Sequence, residues 1–340
     1  MSPFTPIARR VKGSVVVLAL GCAFLAAGGP AGAEQIVVSN YGVTTNGMPF
    51  AVAMEKGFFK EFNANVDGIL SSDGGGTTIR NLLGGKLAYG EAAVSAIVSA
   101  VQGGADLRII SGNVHTVAEF VWVAMPSSPV NSLKDLKGRR LGFTNPRSTS
   151  QALAFLLMEA TNLQASEVTL TRTGGFGAGL TLLELGGVDV VPVAEPLWSK
   201  SGGKYKLIAS APDVLPHLSN VLGVTTGDAA KTKGDFIRGV IQARRKAVEY
   251  MQTNPKESAA IIAKAYNLEQ AVAESTLRNL LASEKRGGVP YWGPGDLRID
   301  TMNNMIRAQK LVGALQGDVD WSKLVDESFL PNDLKSKPAR

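Results

Sequence analysis

The sequence predicts an α/β protein of two lobes, each a mostly parallel sheet flanked by helices, with a cleft between the lobes. From residue 35, short β-branched runs alternate with helical periods, which is typical of βαβ units. The alternation starts again at residue 120, and from residue 235 the pattern is helical. A chain of 340 residues is long enough for two such units.

The first unit, assigned to residues 34–118, alternates four strands with three helices. Each helix ends at glycine, which is a common C-terminal stop. The predicted strands are residues 35–39, 66–70, 87–90 and 107–111, and the helices are residues 49–56, 78–83 and 92–102.

The second unit, assigned to residues 119–227, has hinges near Ala118 and Thr226. Its predicted strands are residues 120–125, 140–144, 168–173, 188–193, 205–210 and 221–225, with helices at 133–136, 149–160 and 180–185. Residues 228–340 are assigned to the first lobe, with helices at 235–253, 256–266, 270–283 and 297–315.

Residues 1–33 have the pattern of a cleavable signal peptide. Arg9, Arg10 and Lys12 precede an apolar run, and small residues then end at Ala33, after which cleavage is expected. The protein is therefore expected in the periplasm. A rival interpretation is lipidation at Cys22, because residues 18–21 loosely resemble a lipobox.

Composition excludes several classes of function. Loss of residues 1–33 lowers the formal charge from +6 to +3 without leaving a basic patch, which argues against nucleic acid as a partner. It also removes the only cysteine, and with it disulfides and thiol chemistry. His115 and His217 lack metal-ligand spacing, and no nucleophile motif occurs. We therefore predict no catalytic residue, no metal and no cofactor.

A glycine-rich loop at residues 71–80, Ser-Ser-Asp-Gly-Gly-Gly-Thr-Thr-Ile-Arg, joins a predicted strand to a helix. Its glycines permit close backbone approach, and the free N–H groups of a helix start favour negative charge. It is not a phosphate loop, because Gly-Lys-Ser/Thr does not follow. Ser72, Gly75 and Thr77 either contact a solute or only shape the turn, and Asp73 either caps the helix or contacts the solute.

A matching loop at residues 144–150 lies in the second unit, again between strand and helix. Asn145, Arg147, Ser148 and Thr149 are the candidate ligand contacts here. Arg147 is either an anion contact or a solvated or ion-paired surface residue. Ser148 and Thr149 cap the helix, with or without a ligand contact.

Other loops at strand ends contribute four further candidates. Glu91 and Glu195 either accept hydrogen bonds from a ligand or form structural caps or pairs with Arg147 or Arg172. Tyr41 and Phe176 are either aromatic walls for a flat solute or core residues. Since ligands bind beyond the carboxyl ends of strands in open α/β sheets, we expect these loops to converge on an interlobe cleft.

Several motifs resemble one known family, the solute-binding proteins of ABC transporters for nitrate, sulfonates, taurine and thiamine precursors (type-II periplasmic binding proteins). They are Gly57-Phe58-Phe59-Lys60, residues 71–77, 81–86 and 92–100, Ser132-Leu133-Lys134-Asp135-Leu136-Lys137-Gly138, Gly187-Val188-Asp189 and Glu195-Pro196. The resemblance implies an exported, non-catalytic, monomeric protein whose lobes close over a small-molecule solute. It also implies delivery of that solute to an ABC permease in the inner membrane.

The resemblance leaves other functions open. One alternative is a sensing subunit, in which a two-lobed protein of the same kind docks on a membrane receptor. Another is an enzyme of the same fold that takes part in thiamine-pyrimidine synthesis. The latter needs a histidine-rich site, whereas this chain has two histidines. In the family, the loop after the third strand usually reads Asp-Ile-Gly followed by small residues. Here Ala88-Tyr89-Gly90 is followed by the acidic Glu91, which argues against a simple anion such as nitrate as the solute. We expect a carboxylate- or sulfonate-bearing solute that also carries hydrogen-bond donors.

Overall fold

The structure, a computed structural model, describes residues 34–85 and 87–336, without the side chains of residues 285–287. The predicted signal peptide, with Cys22 and the cleavage site after Ala33, lies outside the described residues, as do Lys86 and residues 337–340. Of the helices in the described ranges, none combines the length and apolar character that a membrane span requires.

Eleven strands are present in the described part of the chain. They are β1 (Glu34–Ser39), β2 (Val66–Ser72), β3 (Gly90–Ala93), β4 (Leu107–Val114), β5 (Phe120–Ala124), β6 (Arg140–Phe143), β7 (Thr169–Arg172), β8 (Val191–Ala194), β9 (Lys206–Ser210), β10 (Val221–Thr226) and β11 (Trp292–Gly295).

Fourteen α-helices and five 3₁₀ turns are present in the same ranges. The helices are α1 (Met48–Glu55), α2 (Phe58–Glu61), α3 (Gly75–Leu83), α4 (Val94–Gln102), α5 (Thr149–Ala160), α6 (Phe176–Glu184), α7 (Leu197–Lys200), α8 (Ala211–Val214), α9 (Gly227–Thr232), α10 (Gly234–Thr253), α11 (Pro255–Tyr266), α12 (Gln270–Gly287), α13 (Ile299–Leu311) and α14 (Trp321–Leu324). The 3₁₀ turns are Thr45–Gly47, Leu133–Leu136, Ala165–Glu167, Glu327–Phe329 and Asn332–Leu334.

The first sheet has six strands in the order β11-β4-β10-β3-β1-β2. β1 pairs in parallel with β2 and β3, whereas β10 runs antiparallel to β3 and β4, and β11 antiparallel to β4. β1 to β4 therefore share one direction, whereas β10, between β3 and β4, and β11, at the edge of the sheet, run in the opposite direction.

The second lobe repeats this arrangement. β6 and β7 pair in parallel, and β8-β5-β9 form an antiparallel sheet. A parallel bridge between Leu141 and Val190 joins the two sheets. The resulting order, β7-β6-β8-β5-β9, matches β2-β1-β3-β10-β4 of the first sheet, with one reversed strand in the same place. The predicted α/β fold is confirmed, and the strands that alternate with helices share one direction in each lobe.

One strand lies in a different lobe from the one predicted. Residues 221–225 are predicted to belong to the second unit, but β10 pairs with β3 and β4 of the first sheet and lies between them. Strand periodicity carries no information about the pairing partner, and for this strand the partners lie over a hundred residues away. The two connections between lobes are therefore residues 115–119 and 215–220.

Most other predicted elements are present with small shifts of their ends. α5 has the predicted bounds, while α3 begins at Gly75, three residues before its predicted start. The third strand is Gly90–Ala93 instead of residues 87–90. Trp292, which the sequence did not place, is buried in β11 and donates its indole N–H to the Thr45 carbonyl at 2.9 Å.

The contact between β4 and β11 yields a testable prediction. A Cβ added at Gly112 would lie 2.1 Å from the backbone oxygen of Asp296, which cannot rotate away. We expect Gly112→Ala to lower the free energy of unfolding by about 1–3 kcal/mol or more. The measurement is urea unfolding of the purified protein.

Gly76→Ala is the matched control. Gly76 lies in α3, where an added Cβ meets only the end of the Arg80 side chain at 3.7 Å. Replacing a helical glycine by alanine there is expected to raise stability by roughly 0.5–1 kcal/mol. Equal effects of the two substitutions would contradict the packing argument.

Candidate functional site

A cavity of about 220 Å³ lies where the carboxyl ends of β1, β3, β6 and β8 meet the two connections between lobes. This volume is below the roughly 300–1,000 Å³ of drug-sized ligand sites and fits a small solute. Its lining residues are Ser39, Asn40, Thr44, Thr45, Asn46, Gly75, Ala93, Glu119, Phe120, Thr144, Ser148, Thr149, Ser150, Phe176, Ala194, Glu195, Asn220, Val221 and Tyr291.

Four helices begin at this cavity. Gly75 opens α3, Ala93 precedes α4, Thr149 opens α5 and Phe176 opens α6. The first N–H groups of a helix have no partner within it and carry a partial positive charge. Of the residues described, those that line the cavity include no lysine or arginine, and the acidic ones are Glu119 and Glu195. Positive potential in the wall therefore comes from backbone groups.

The floor of the cavity rests on a buried ion pair. Glu91 and Arg244 are both buried, with 3.5 Å between Glu91 Oε2 and Arg244 Nε. Asn46, in the floor, donates to Glu91 Oε1 at 2.8 Å, and Thr45 shares a hydrogen bond of 2.6 Å with the Tyr291 hydroxyl. Burial raises the pKa of Glu91, and Arg244 opposes that shift.

The wall between β6 and α5 carries a cluster of hydroxyl groups. Thr144 Oγ1 lies 3.1 Å from Ser148 Oγ and 2.8 Å from Ser150 Oγ, and the two serine oxygens are 2.9 Å apart. Ser148 also caps α5 by accepting from the Gln151 N–H at 3.2 Å. Since hydroxyl groups both donate and accept hydrogen bonds, this wall can bind either a donor or an acceptor group of a solute.

An aromatic pair forms another part of the wall. Phe120 and Phe176 meet edge to face, with ring centroids 5.7 Å apart. Phe120 opens β5 directly after the first connection, whereas Phe176 opens α6. The pair offers apolar surface on the second-lobe side of the cavity.

The carboxylate of Glu195 is occupied by protein donors. It accepts hydrogen bonds from the Ser199 backbone at 3.1 Å and hydroxyl at 3.0 Å, from Thr276 at 3.2 Å and from Asn279 at 2.7 Å. Thr276 and Asn279 belong to α12. Glu195 therefore ties the second lobe to a C-terminal helix.

Unlike Glu195, Glu119 has a buried carboxyl group in which only one oxygen has a hydrogen-bond partner among the described residues. It lies at the end of the first connection and is 7 % exposed. Its Oε1 accepts from Asn220 of the second connection at 2.9 Å, whereas Oε2 is buried without a hydrogen-bond partner among the described residues. Burial raises the pKa of Glu119 to about 8, and hydrogen bonds oppose this only in part.

Five of the twelve residues proposed from the sequence line the cavity. They are Gly75, Ser148, Thr149, Phe176 and Glu195. The other seven do not line it: Tyr41, Ser72, Asp73, Thr77, Glu91, Asn145 and Arg147.

Local contacts account for much of this difference. Tyr41 packs edge to face on Tyr266 at 5.4 Å, and Ser72 hydrogen-bonds Thr78 at 2.6 Å. Asn145 accepts two hydrogen bonds from Arg172, at 3.2 and 3.1 Å. Thr77 accepts from Arg80 at 2.7 Å.

Two candidates, Asp73 and Glu91, have contacts that differ from the predicted ones, whereas Arg147 has the exposed position that was one of its alternatives. The prediction that Asp73 caps α3 is wrong, because the cap position is Gly74 and no side chain bonds there. The predicted partners of Glu91, Arg147 or Arg172, are wrong as well, since Arg244 fills that place. Arg147 is exposed and has a left-handed backbone, with φ 63°.

The sequence contains a signal for Glu119, although Glu119 is not among the predicted site residues. Glu119 is the only Asp, Glu, Lys or Arg between Arg108 and Lys134, in a stretch of mostly apolar residues that also contains His115. Such a residue is expected to be buried with a specific role, since an unpaired buried charge is costly. Within the described ranges, no three His, Cys, Asp or Glu residues are grouped to hold a metal ion.

Comparisons with known proteins agree on a family and a fold. A family model described as "NMT1/THI5 like" matches residues 44–258. No curated protein sequence matches the chain. Many solved structures share its fold.

Three solved structures represent these similarities. The periplasmic aliphatic sulphonate binding protein SsuA from Escherichia coli is 17% identical, with a TM-score of 0.68, over 83% of this chain and 91% of that one. The periplasmic nitrate-binding protein NrtA from Synechocystis PCC 6803 is 13% identical, with a TM-score of 0.63, over 91% and 92%. The Candida albicans CA3427 gene product, which has the generic periplasmic binding protein fold, is 16% identical, with a TM-score of 0.63, over 87% and 97%. At these identities the likeness shows the fold, which is that of periplasmic binding proteins.

Burial of Glu119 yields a prediction about stability and pH. The folded protein keeps Glu119 protonated up to about pH 8, whereas the unfolded chain ionises it near 4.5. The folded state therefore binds more protons between these values, and this group makes stability fall as pH rises from about 4.5 to 8. The titratable neighbours in the same wall are Glu195 and Tyr291, and burial raises the pKa of Tyr291 well above its usual value.

Glu119→Gln removes this contribution. We expect its stability relative to the native protein to rise with pH over that window, by roughly 3–5 kcal/mol in total. Urea unfolding of both proteins, without added ligand, at a series of pH values provides the measurement. A difference that stays constant with pH would show that Glu119 ionises normally in the folded protein.

Proposed function

Because the chain belongs to the NMT1/THI5-like family, we propose that it is an exported, non-catalytic binding protein that captures a small organic solute between two lobes. The single observation that carries this proposal is the cavity itself. It receives residues from strand ends and helix starts of both lobes and from both connections. This placement couples occupancy of the cavity to the relative position of the lobes.

The proposed mechanism is a shift between open and closed forms. The first lobe comprises residues 34–118 with the C-terminal segment, and the second begins at residue 119 and ends before β10. A solute that touches both walls binds the closed form more tightly and so increases its population. The connections at residues 115–119 and 215–220 are the places where the backbone bends.

The starts of α3, α4, α5 and α6 favour an acidic group on the solute. Backbone N–H groups at helix starts bind carboxylates, sulfonates and similar groups without a basic side chain. The hydroxyl cluster of Thr144, Ser148 and Ser150 lies beside the start of α5 and supplies further donors. A carboxylate- or sulfonate-bearing solute therefore fits this end of the cavity.

Export and delivery complete the proposal. The signal-like residues 1–33 support a periplasmic location. Structures of similar fold include sulphonate- and nitrate-binding periplasmic proteins and a ligand-binding component of an ABC-type import system. We propose that the chain acts as a monomer and passes its solute to an ABC permease.

The first test is a ligand screen by thermal shift with the purified protein. The panel comprises sulfonates, carboxylates, nitrate, pyrimidines and flavins, with amine-bearing members in each organic class. A ligand at about 100 times its Kd is expected to stabilise the protein by roughly 2.7 kcal/mol. Turnover of a panel member without stable binding would contradict the proposal.

The second test addresses the aromatic wall. Phe176→Ala removes one ring of the pair in the cavity, and we expect a Kd for the panel ligand at least about tenfold higher. Leu185→Ala, just beyond the other end of α6, is the matched control, because Leu185 is 79 % exposed and does not line the cavity. Isothermal titration calorimetry measures both. An unchanged Kd in Phe176→Ala would place the solute elsewhere.

A further inference from the structure

The wall of the cavity contains an acidic group with no charge to balance it. Among the residues that the structure describes, Glu119 has Asn220 as the partner of one carboxyl oxygen and none for the other. No basic side chain from the described residues lines the cavity, and the carboxylate of Glu195 is already held by α7 and α12. Of the two acidic side chains described in the lining, Glu119 is thus the one with a carboxyl oxygen that has no hydrogen-bond partner in the described protein.

Both protonation states of Glu119 leave this oxygen unsatisfied. If the carboxyl is ionised, its charge is buried without a cation, and if it is protonated, its O–H or second oxygen is buried without a partner. Either situation carries the desolvation cost of a buried polar group. Proteins rarely keep such a group unless another molecule supplies the partner.

We propose that Glu119 recognises a protonated amine or amidine of the solute, so that the preferred ligand is a small zwitterion with its acidic group at the helix starts. This inference rests on the proposed function and adds the chemical class of the solute. The positive group of the zwitterion lies at the connections between lobes and its negative group at the starts of the helices. Simple anions lack the group that Glu119 requires.

The position of Glu119 adds a link to lobe closure. Its bond to Asn220 joins the two connections, and its backbone carbonyl accepts from the Glu195 N–H at 2.9 Å. A cation bound here contacts the segment about which the lobes turn. Binding of the amine and positioning of the two connections are therefore coupled.

Recognition of a cation by Glu119 also moves a proton. Burial raises the pKa of Glu119 to about 8, so the carboxyl is mostly protonated at pH 7. An ammonium group favours the ionised form, and binding at pH 7 therefore releases close to one proton. Affinity for the ammonium ligand rises with pH up to about 8 for the same reason. Glu195 and Tyr291 are the other titratable groups in the lining.

The test uses two pairs of probes that differ by one group of similar size. They are 4-aminobutanoate against pentanoate, and 3-aminopropane-1-sulfonate against butane-1-sulfonate. In each pair an ammonium replaces a methyl group, and the acidic group is kept. We expect the native protein to bind the ammonium member of at least one pair at least about tenfold more tightly, and Glu119→Gln to lose this preference. Calorimetry measures the affinities.

Two further measurements keep the test independent of misfolding. Glu249→Gln, an exposed carboxylate of α10 outside the cavity, is the control and is expected to bind like the native protein. Calorimetry of the native protein in buffers of different ionisation enthalpy is expected to show proton release close to one per ammonium ligand at pH 7. Neither a surface effect nor a purely structural Glu119 produces that release.

The outcomes separate this inference from the proposed function. If a solute without an amine or amidine binds tightly and Glu119→Gln leaves its Kd unchanged, the inference is wrong and the binding function stands. Absence of ammonium preference in both pairs, or of proton release, also overturns the inference. If no member of the whole ligand panel binds, the proposed function fails as well.

Discussion

The buried pair of Glu91 and Arg244 is the interaction on which the rest of the first lobe depends. Arg244 extends from α10 and donates to the carbonyls of Gly293 at 2.7 Å and Asn113 at 2.6 Å. Through Asn46, Glu91 fixes the loop that forms the cavity floor. A buried pair adds little net stability, but loss of one partner leaves an uncompensated charge. The pair therefore specifies how β3, β4, β11 and α10 meet.

The repeated strand order of the two lobes explains why the cavity forms where it does. Each sheet places one reversed strand at the same position, β10 in the first and β5 in the second. These strands begin where the connections between lobes end. The strand ends, the helix starts and both connections consequently meet in one place. A group such as Glu119 gains its position from topology, not from its neighbours in sequence.

Local patterns in the sequence predicted the elements well, because helix and strand periods depend on neighbouring residues. The bounds of α5 and the cavity-lining Ser148 and Thr149 follow from a strand, a capping serine and an apolar period. The pairing of strands and side chains that are distant in sequence cannot be predicted from such local patterns. β10 was therefore assigned to the wrong lobe, and Tyr291 and Asn46 were missed in the lining. Glu91 was a reasonable candidate for ligand binding, but it forms a buried ion pair with Arg244. Arg244 lies 153 positions further along the chain, so this pairing was not evident from the sequence.

The hydrogen bonds of Glu195 to Thr276 and Asn279 have a mechanical consequence. α12 follows the first-lobe segments along the chain, yet its side chains are fastened to the second lobe. The two lobes are thus linked by two covalent connections and by the hydrogen bonds of Glu195 to α12. The ion pair of Arg307 in α13 with Glu159 in α5 is a further link. Rotation of the second lobe either carries α12 along or stretches these bonds. In the proposed closure, the part that moves would therefore combine distant chain segments. Resistance to that motion would come partly from α12, none of whose described residues lines the cavity.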